Sequence, residues 1–503
     1  MQFLSILFLL PVAFAFDFSE ETNKRINPNV DPCEDFYRHA CRLDDYEWLP
    51  YKIISERLDS QFADAKNLNS NLQEFEIAND LRNHKSGYIT DTPQLVTRIF
   101  NDLCVSGENT SEFLMRIRQV FDVNHECDDG KCVAHLFKDP DCERASKHLF
   151  TVTSKLIQLP VTQFIRQISQ ILDKVKSMYQ ITNEILSNTD ESKVEKLNGL
   201  FLEMKDIAIE LIQQTPWTSN HNVTELVTFV VEPLKLTSLL ESNHNKALNM
   251  LKLFNEKYVL CKTWCANATA SFASEFCILQ TMTTTEMKPV RFESLNDIII
   301  EGYTLYPEIS IGYVWYYMFL TTENKAAQLG APGFTLAHEL AHAIIKGSEG
   351  DILTYFSEEA KSCIQSQYEK ICEEFDEGDC EIGSRRFEEN GADFLAVEIL
   401  EVLFRRYFVD REKRSKEEES RKDLQQMFYS AASGLCDGRK RVAIERDPHS
   451  PHNVRINALV NHPLFEEAFQ CSADSRMMRS KTKHCSVYGK NAPSNRRFSP
   501  KLF

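Results

Sequence analysis

The sequence predicts a mainly α-helical protein with one small β-sheet, in the α+β class. Three observations lead there. Between residues 46 and 290, runs such as VTQFIRQISQILDKVKSMYQ and KLNGLFLEMKDIAIELIQQT carry apolar residues at three- and four-residue spacing, and glycine and proline are sparse. Residues 291–317 change character, with FESLNDIIIEGYTLYPEISIGYVWYY rich in β-branched and aromatic side chains. From residue 333 onward the helical spacing returns. A chain of 503 residues is long enough for two or more domains and a sizeable core.

The chain opens with MQFLSILFLLPVAFAFD, an apolar run closed by Ala13-Phe14-Ala15 as a small-residue cleavage signal. The run is too short to favour a membrane span, so residues 1–15 read as a signal peptide, with a signal anchor as the alternative. No later stretch offers 18 uninterrupted apolar residues, and no stable membrane anchor is expected. Fifteen cysteines fit an exported chain rich in disulfides, and their odd number leaves at least one thiol free or paired with another chain. Sequons at Asn109, Asn222 and Asn267 are candidate glycosylation sites, although such triplets also arise by chance.

Residues 16–45 form an N-terminal strip in which NPNVDPCEDFYRHACR sets Cys33 and Cys41 eight apart. Residues 46–290 are the helical region. Pro307 divides the β-rich stretch into two strands, one of which can serve as a sheet edge. DREKRSKEEESRKD (410–423) reads as an exposed helix or a loop, and residues 489–503 as a basic tail. There is no internal repeat. A net charge of −17 argues against a nucleic-acid binder, which would carry a basic face.

GFTLAHELAHAIIKG (333–347) carries the first candidate chemistry. On a helix, residues four apart share a face, so His338 and His342 can aim two imidazoles at one ion. Glu339 follows the first histidine, where it can act as general base on a water at the metal. A catalytic zinc takes three protein ligands and leaves one position open. The alternative is a core helix that happens to hold two histidines. In FEENGADFLAVEILEVLFRRY (387–407), Ala392, Leu395, Ala396, Ile399 and Leu403 form an apolar stripe, and Glu389 and Asp393 lie four apart beside it. Carboxylates next to a buried stripe are costly unless paired or metal-bound. Glu389 as a ligand and Asp393 as hydrogen-bond partner of a ligand histidine would satisfy both. The alternative is a solvated flank, since Glu388, Glu398 and Glu401 make the segment acidic. RDPHSPHNVRINALVNHPLF (446–465) adds His449 and Arg455, side chains suited to stabilising a developing oxyanion, with Asp447 placed to fix the His449 tautomer. By spacing alone these three are equally at home on a solvated surface.

Together these motifs resemble the neprilysin and endothelin-converting-enzyme family of zinc peptidases. NPNVDPCEDFYRHAC resembles that family's N-terminal motif; HELAH and then ENGAD resemble its two zinc motifs in order. DPHSPHNVRIN with LVNHPLFEEAFQC resembles its C-terminal block, KHCSVY its closing cysteine motif with Tyr488 where tryptophan is usual, and NDLCVSGE a cysteine segment of its helical part. The resemblance implies a two-lobed gluzincin: a thermolysin-like catalytic lobe (291–488) capped by a helical lobe (46–290) that limits substrates to oligopeptides. It implies one Zn2+ per chain held by His338, His342 and Glu389, with Glu339 as general base and Asp393 orienting a zinc histidine. It further implies transition-state stabilisation by His449 backed by Asp447, and a substrate carbonyl bound by Arg455. Disulfides Cys33–Cys471, Cys41–Cys436 and Cys363–Cys485 are implied, with Cys104 joined to Cys261 or Cys265; Cys127, Cys132, Cys142, Cys277, Cys372 and Cys380 have no implied partner.

The chain also departs from that pattern. Where the family has an Asn-Ala-Tyr/Phe strand that grips the peptide backbone, the nearest match is Glu301-Gly302-Tyr303, and an ionised glutamate accepts but does not donate. Ile345 and Lys346 replace an acid pair usual after the second zinc histidine. The expectation is a secreted, extracellular zinc metalloendopeptidase cutting oligopeptides on the amino side of hydrophobic residues. The alternative is a secreted peptidase-like binding or decoy protein with impaired catalysis.

Overall fold

A computed structural model describes residues 16–42, 49–54, 75–77, 160–187, 189–215, 226–264, 277, 281, 302–346, 358–376, 384–409, 417–436, 448–485 and 487–488. In chain order the helices are α1 Phe18–Lys24, α2 Phe36–Ala40, α3 Leu49–Ile53, α4 Pro160–Ser187, α5 Glu191–Gln213, α6 Leu239–Trp264, α7 Tyr313–Leu320, α8 Lys325–Gln328, α9 Phe334–Lys346, α10 Glu358–Phe375, α11 Ser384–Phe408, α12 Glu417–Leu435, α13 His452–Ala458, α14 Pro463–Phe469 and α15 Arg476–Ser480. The strands are β1 Lys235–Ser238, β2 Tyr303–Leu305 and β3 Glu308–Ile311. The protein is thus mainly helical with a small mixed sheet. None of the described helices is long and apolar enough to cross a membrane.

The chain divides into two compact units, one of Met1–Ser60, Thr189–Leu240 and Ser294–Phe503, the other of Gln61–Asn188 and Glu241–Glu293. In the first unit, α1 and α2 start on Asp17 and Asp35, whose carboxylates accept the N–H groups of Ser19 and Arg38 at 2.7 and 3.1 Å. Phe36 of α2 then inserts among Phe428, Tyr429, Phe465 and Phe469, with ring centroids 5.0 to 6.3 Å away. That cluster ties the N-terminal strip to α12 and α14. α5 begins on Asp190, which accepts from Ser192 N–H at 3.0 Å, and buries Leu197, Leu200, Phe201, Met204, Ile207, Ala208, Leu211 and Ile212, the single apolar stripe its sequence spacing predicts.

The sheet has order β1-β3-β2, with β1 parallel and β2 antiparallel to β3. Pro307 separates β2 from β3 as expected. The strand character ends sooner than the composition suggests. Gly312 caps α7, and Val314, Trp315, Tyr316, Met318 and Phe319 are buried in a helix rather than a strand. A helix buried on most sides has no polar face, so its periodicity is silent and its β-branched and aromatic residues mislead. β1 escapes the sequence reading because four residues, KLTS, are too short to show an alternation.

In the second unit, Cys261 of α6 is bonded to Cys277. This removes Cys261 from the two partners expected for Cys104: the Cα atoms of Cys261 and Cys277 stand 5.5 Å apart, within bridging reach. Cys104 and Cys265 lie outside the described residues. The first unit contains Cys33–Cys471, Cys41–Cys436 and Cys363–Cys485, and Cys372 is also disulfide-bonded.

Candidate metal centre

α9 and α11 pack closely against each other. Gly391 lies at their contact, where an added Cβ would stand 3.3 Å from Ile345 Cδ1. Ile345 is fully buried. A side chain in that place makes packing, not a polar contact to the histidines. From 390 to 404 α11 is buried on every face, so the solvated-flank reading is overturned for Asp393, Glu398 and Glu401, while Glu388, just before this stretch, is half-buried. Glu398 and Glu401 are 2% and 6% exposed. They face the histidines of the C-terminal block: His462 Nε2 is 3.3 Å from Glu401 Oε2, and His484 Nε2 is 3.7 Å from Glu398 Oε1.

At the crossing, His338 and His342 of α9 and Glu389 of α11 converge. His342 Nε2 lies 3.0 Å from His338 Nε2 and 3.1 Å from Glu389 Oε2, and His338 Nε2 lies 3.2 Å from the same oxygen. Two imidazole nitrogens facing at that distance repel unless a proton or a cation lies between them. In a tetrahedral zinc site with bonds of about 2.0–2.1 Å, ligand atoms stand about 3.3 Å apart, close to the edges of this triangle. His338 Nδ1 is engaged with Asp393 Oδ1 at 2.9 Å; donating there leaves the Nε2 lone pair aimed at the centre. The donor set therefore fits a zinc ion with three protein ligands and an open position.

The electrostatics point the same way. Burial would lower the His338 imidazole, but Asp393 and Glu389 outweigh it and raise it to about 9. The carboxylates thus favour positive charge at this point. Burial would raise Glu389, yet hydrogen bonds from His338, His342 and His449 hold it far below the usual carboxylate range. Asp393 is likewise pushed up by burial and pulled well down by the Arg455 guanidinium and His338.

Arg455 and Asp393 form a buried bidentate pair, Nε to Oδ2 and an Nη to Oδ1, both 2.7 Å. An unbroken chain, Arg455–Asp393–His338, thus runs to the triangle. His449 stands at its edge, about one-third exposed, with Nε2 3.0 Å from Glu389 Oε2. Ser450 next to it donates to Asn390 at 2.8 Å and fixes this loop to α11. Glu339 is 6% exposed, and Thr304 of β2 reaches it. Sequence reasoning missed Thr304, Asn390 and Ser450. Strand alternation could have set Thr304 opposite Tyr303 and Leu305, but not beside Glu339. Asp447, Glu301, Asn109, Asn222 and Asn267 lie outside the described residues, and Tyr303 is described only as part of β2.

Residues 309–485 match the model of Peptidase family M13, the family the motifs resemble. Over 183 residues the chain is 27% identical to Neprilysin-1 from Caenorhabditis elegans, a match covering 33% of this chain and 24% of that protein. The matched part therefore spans about a quarter of that relative's length. PEPO from Lactobacillus rhamnosis is similar at 13% identity and a TM-score of 0.37, with 69% of this chain and 53% of that one covered. The Mycobacterium tuberculosis zinc metalloprotease ZMP1 in its open state gives 10% identity and a TM-score of 0.39, over 68% of this chain and 55% of the other.

Proposed function

We propose, from the match of residues 309–485 to the model of Peptidase family M13, that this protein is a zinc-dependent metallopeptidase, and more narrowly a secreted endopeptidase of oligopeptides that cuts on the amino side of hydrophobic residues. The observation that carries the zinc reading is the triangle of His338 Nε2, His342 Nε2 and Glu389 Oε2. A zinc ion held there supplies Lewis acidity toward the scissile carbonyl. Glu339, next in sequence to His338, accepts a proton from the attacking water and passes it to the leaving amine. Asp393 fixes the tautomer of His338, and Arg455 holds Asp393 in its ionised form. Arg455 uses two of its five N–H donors on Asp393; a contact to a substrate carbonyl would use the others. His449, the more exposed imidazole, takes the oxyanion role by turning from Glu389 toward the substrate. Specificity and the restriction to oligopeptides rest on the family resemblance.

The test uses purified full chain against a mixed peptide pool, with and without chelator, beside Glu339→Gln. The expected result is chelator-sensitive cleavage that the variant loses, with zinc bound at one equivalent in both. Zinc bound without any cleavage by the parent would favour the rival reading, a peptidase-like binding protein.

A further inference from the structure

Thr304 lies on β2, paired opposite Ile309 of β3. Strand alternation puts Leu305 on the other face, where it is 69% exposed, while Ile309 is fully buried. Thr304 therefore faces inward, onto α9. Its Oγ1 is 2.7 Å from the backbone oxygen of Glu339 and 3.0 Å from Glu339 Oε2. A hydroxyl carries one hydrogen, and a carboxylate is the stronger acceptor. Two residues earlier, Gly302 occupies the place of the family's alanine. A Cβ there would stand 2.8 Å from Glu339 Oε1 and 3.3 Å from both Cγ and Cδ. The same short edge strand thus touches Glu339 twice, with a donor at one carboxylate oxygen and open room at the other.

The geometry points to Thr304 as a positioning residue for Glu339: its hydroxyl pins Oε2, Gly302 leaves space for Oε1, and Oε1 is thereby the oxygen that exchanges protons. This rests on the metallopeptidase reading for the reaction it serves. In that reaction an O–H bond of water breaks, its proton forms a new O–H bond at Oε1, and the hydroxide oxygen adds to the scissile carbonyl carbon. The proton then leaves Oε1 for the departing nitrogen, which restores the carboxylate. A carboxylate free to rotate would offer the wrong oxygen for part of the time, which slows the proton step without weakening substrate binding.

The test compares Thr304→Val, which removes the hydroxyl at nearly constant volume, with Thr304→Ser, which keeps it, and with Gly302→Ala. Cleavage of a quenched fluorescent peptide is measured with kcat and KM resolved, and zinc content and crystal structures are determined for each protein. Thr304→Val is expected to lower kcat about tenfold, equal to about 1.4 kcal/mol, with KM changed by no more than about twofold. Thr304→Ser should recover most of the loss, and Gly302→Ala should lower kcat by displacing the carboxylate, all with zinc at one equivalent. In the crystals, Glu339 should stay on Oγ1 in the parent and serine proteins and turn away in the valine protein. A valine variant that keeps full kcat with zinc bound, or a serine variant no better than valine, overturns the proposal. If the parent cleaves nothing, the metallopeptidase reading fails, and the crystals still decide the clamp: a Glu339 carboxylate unmoved by Thr304→Val overturns it.

Discussion

The roles proposed for Glu339, His342 and Asp393 differ, and single substitutions separate them. Glu339→Gln keeps shape and removes the base; peptide cleavage should fall by about 10²–10⁴-fold with zinc content unchanged, checked by elemental analysis beside the rate. His342→Ala removes a corner of the donor triangle; zinc should be lost on dialysis, and the protein should remain folded by circular dichroism. Asp393→Ala is expected to be worse for stability than either. It leaves Arg455 buried without its carboxylate, at a cost of about 3–5 kcal/mol, measurable by chemical denaturation. His338 would also lose the partner that sets its tautomer.

Glu401 belongs to the same scale but lies away from the triangle. Burial would raise its carboxyl, yet His462 and Arg405 hold it down at about 2, against 4.5 when free. Because the folded value is the lower one, its contribution is complete above pH 4.5 and is lost as pH falls from there toward 2. The size is about 3 kcal/mol by the usual conversion. Urea titrations across that window should show the parent losing stability more steeply than Glu401→Gln; equal slopes would mean that the pair contributes nothing.

Among the elements, the α9–α11 crossing brings the three donor atoms together, and Gly391 lies within it. Gly391→Val would push against Ile345 and Phe387 and should lower both the melting temperature and zinc affinity, because Glu389 sits two residues away on the same helix. A second crowded point lies in the turn of residues 329–333 that leads into α9. There a Cβ on Gly330 would meet the backbone oxygen of Met427 at 2.3 Å and Ser430 Cβ at 2.5 Å. Backbone cannot swing aside, so Gly330→Ala should cost about 1–3 kcal/mol, read from the denaturation midpoint. Neither glycine stands out in the sequence. α5 was legible because only one of its faces is buried. α7 was not, and α11 only in part: the sequence shows its stripe of Ala392, Leu395, Ala396, Ile399 and Leu403, but not that Glu398 and Glu401 on the other faces are buried as well. The histidines that receive those two carboxylates come from more than 60 residues further along the chain.

Across the whole molecule, disulfides bind the first unit end to end. Cys33–Cys471 and Cys41–Cys436 close loops of 438 and 395 residues. Taken singly, a bridge over a loop of this length stabilises by about 6 kcal/mol in the chain-entropy model. The double variant Cys41→Ser/Cys436→Ser should therefore melt at a lower temperature and expose the strip of α1 and α2 to limited proteolysis, with the first cuts mapping near residue 42. An unchanged melting temperature would show that the Phe36 cluster suffices to hold the strip.

By itself the sequence determined the mainly helical class, the short β-rich insert, the paired histidines with their glutamate, and the later Glu389 and Asp393. These are local patterns, written in spacings of three, four and two residues that the backbone geometry of a helix or strand converts directly into a shared face. What only the tertiary structure decided is which faces meet. It brought α11 onto α9 so that three donor atoms converge, took Arg455 into the interior against Asp393, set Thr304 beside Glu339, and joined Cys261 to Cys277 rather than Cys104. Each of these depends on contacts between distant segments, where shape, burial and charge select the partner and no local period records the choice.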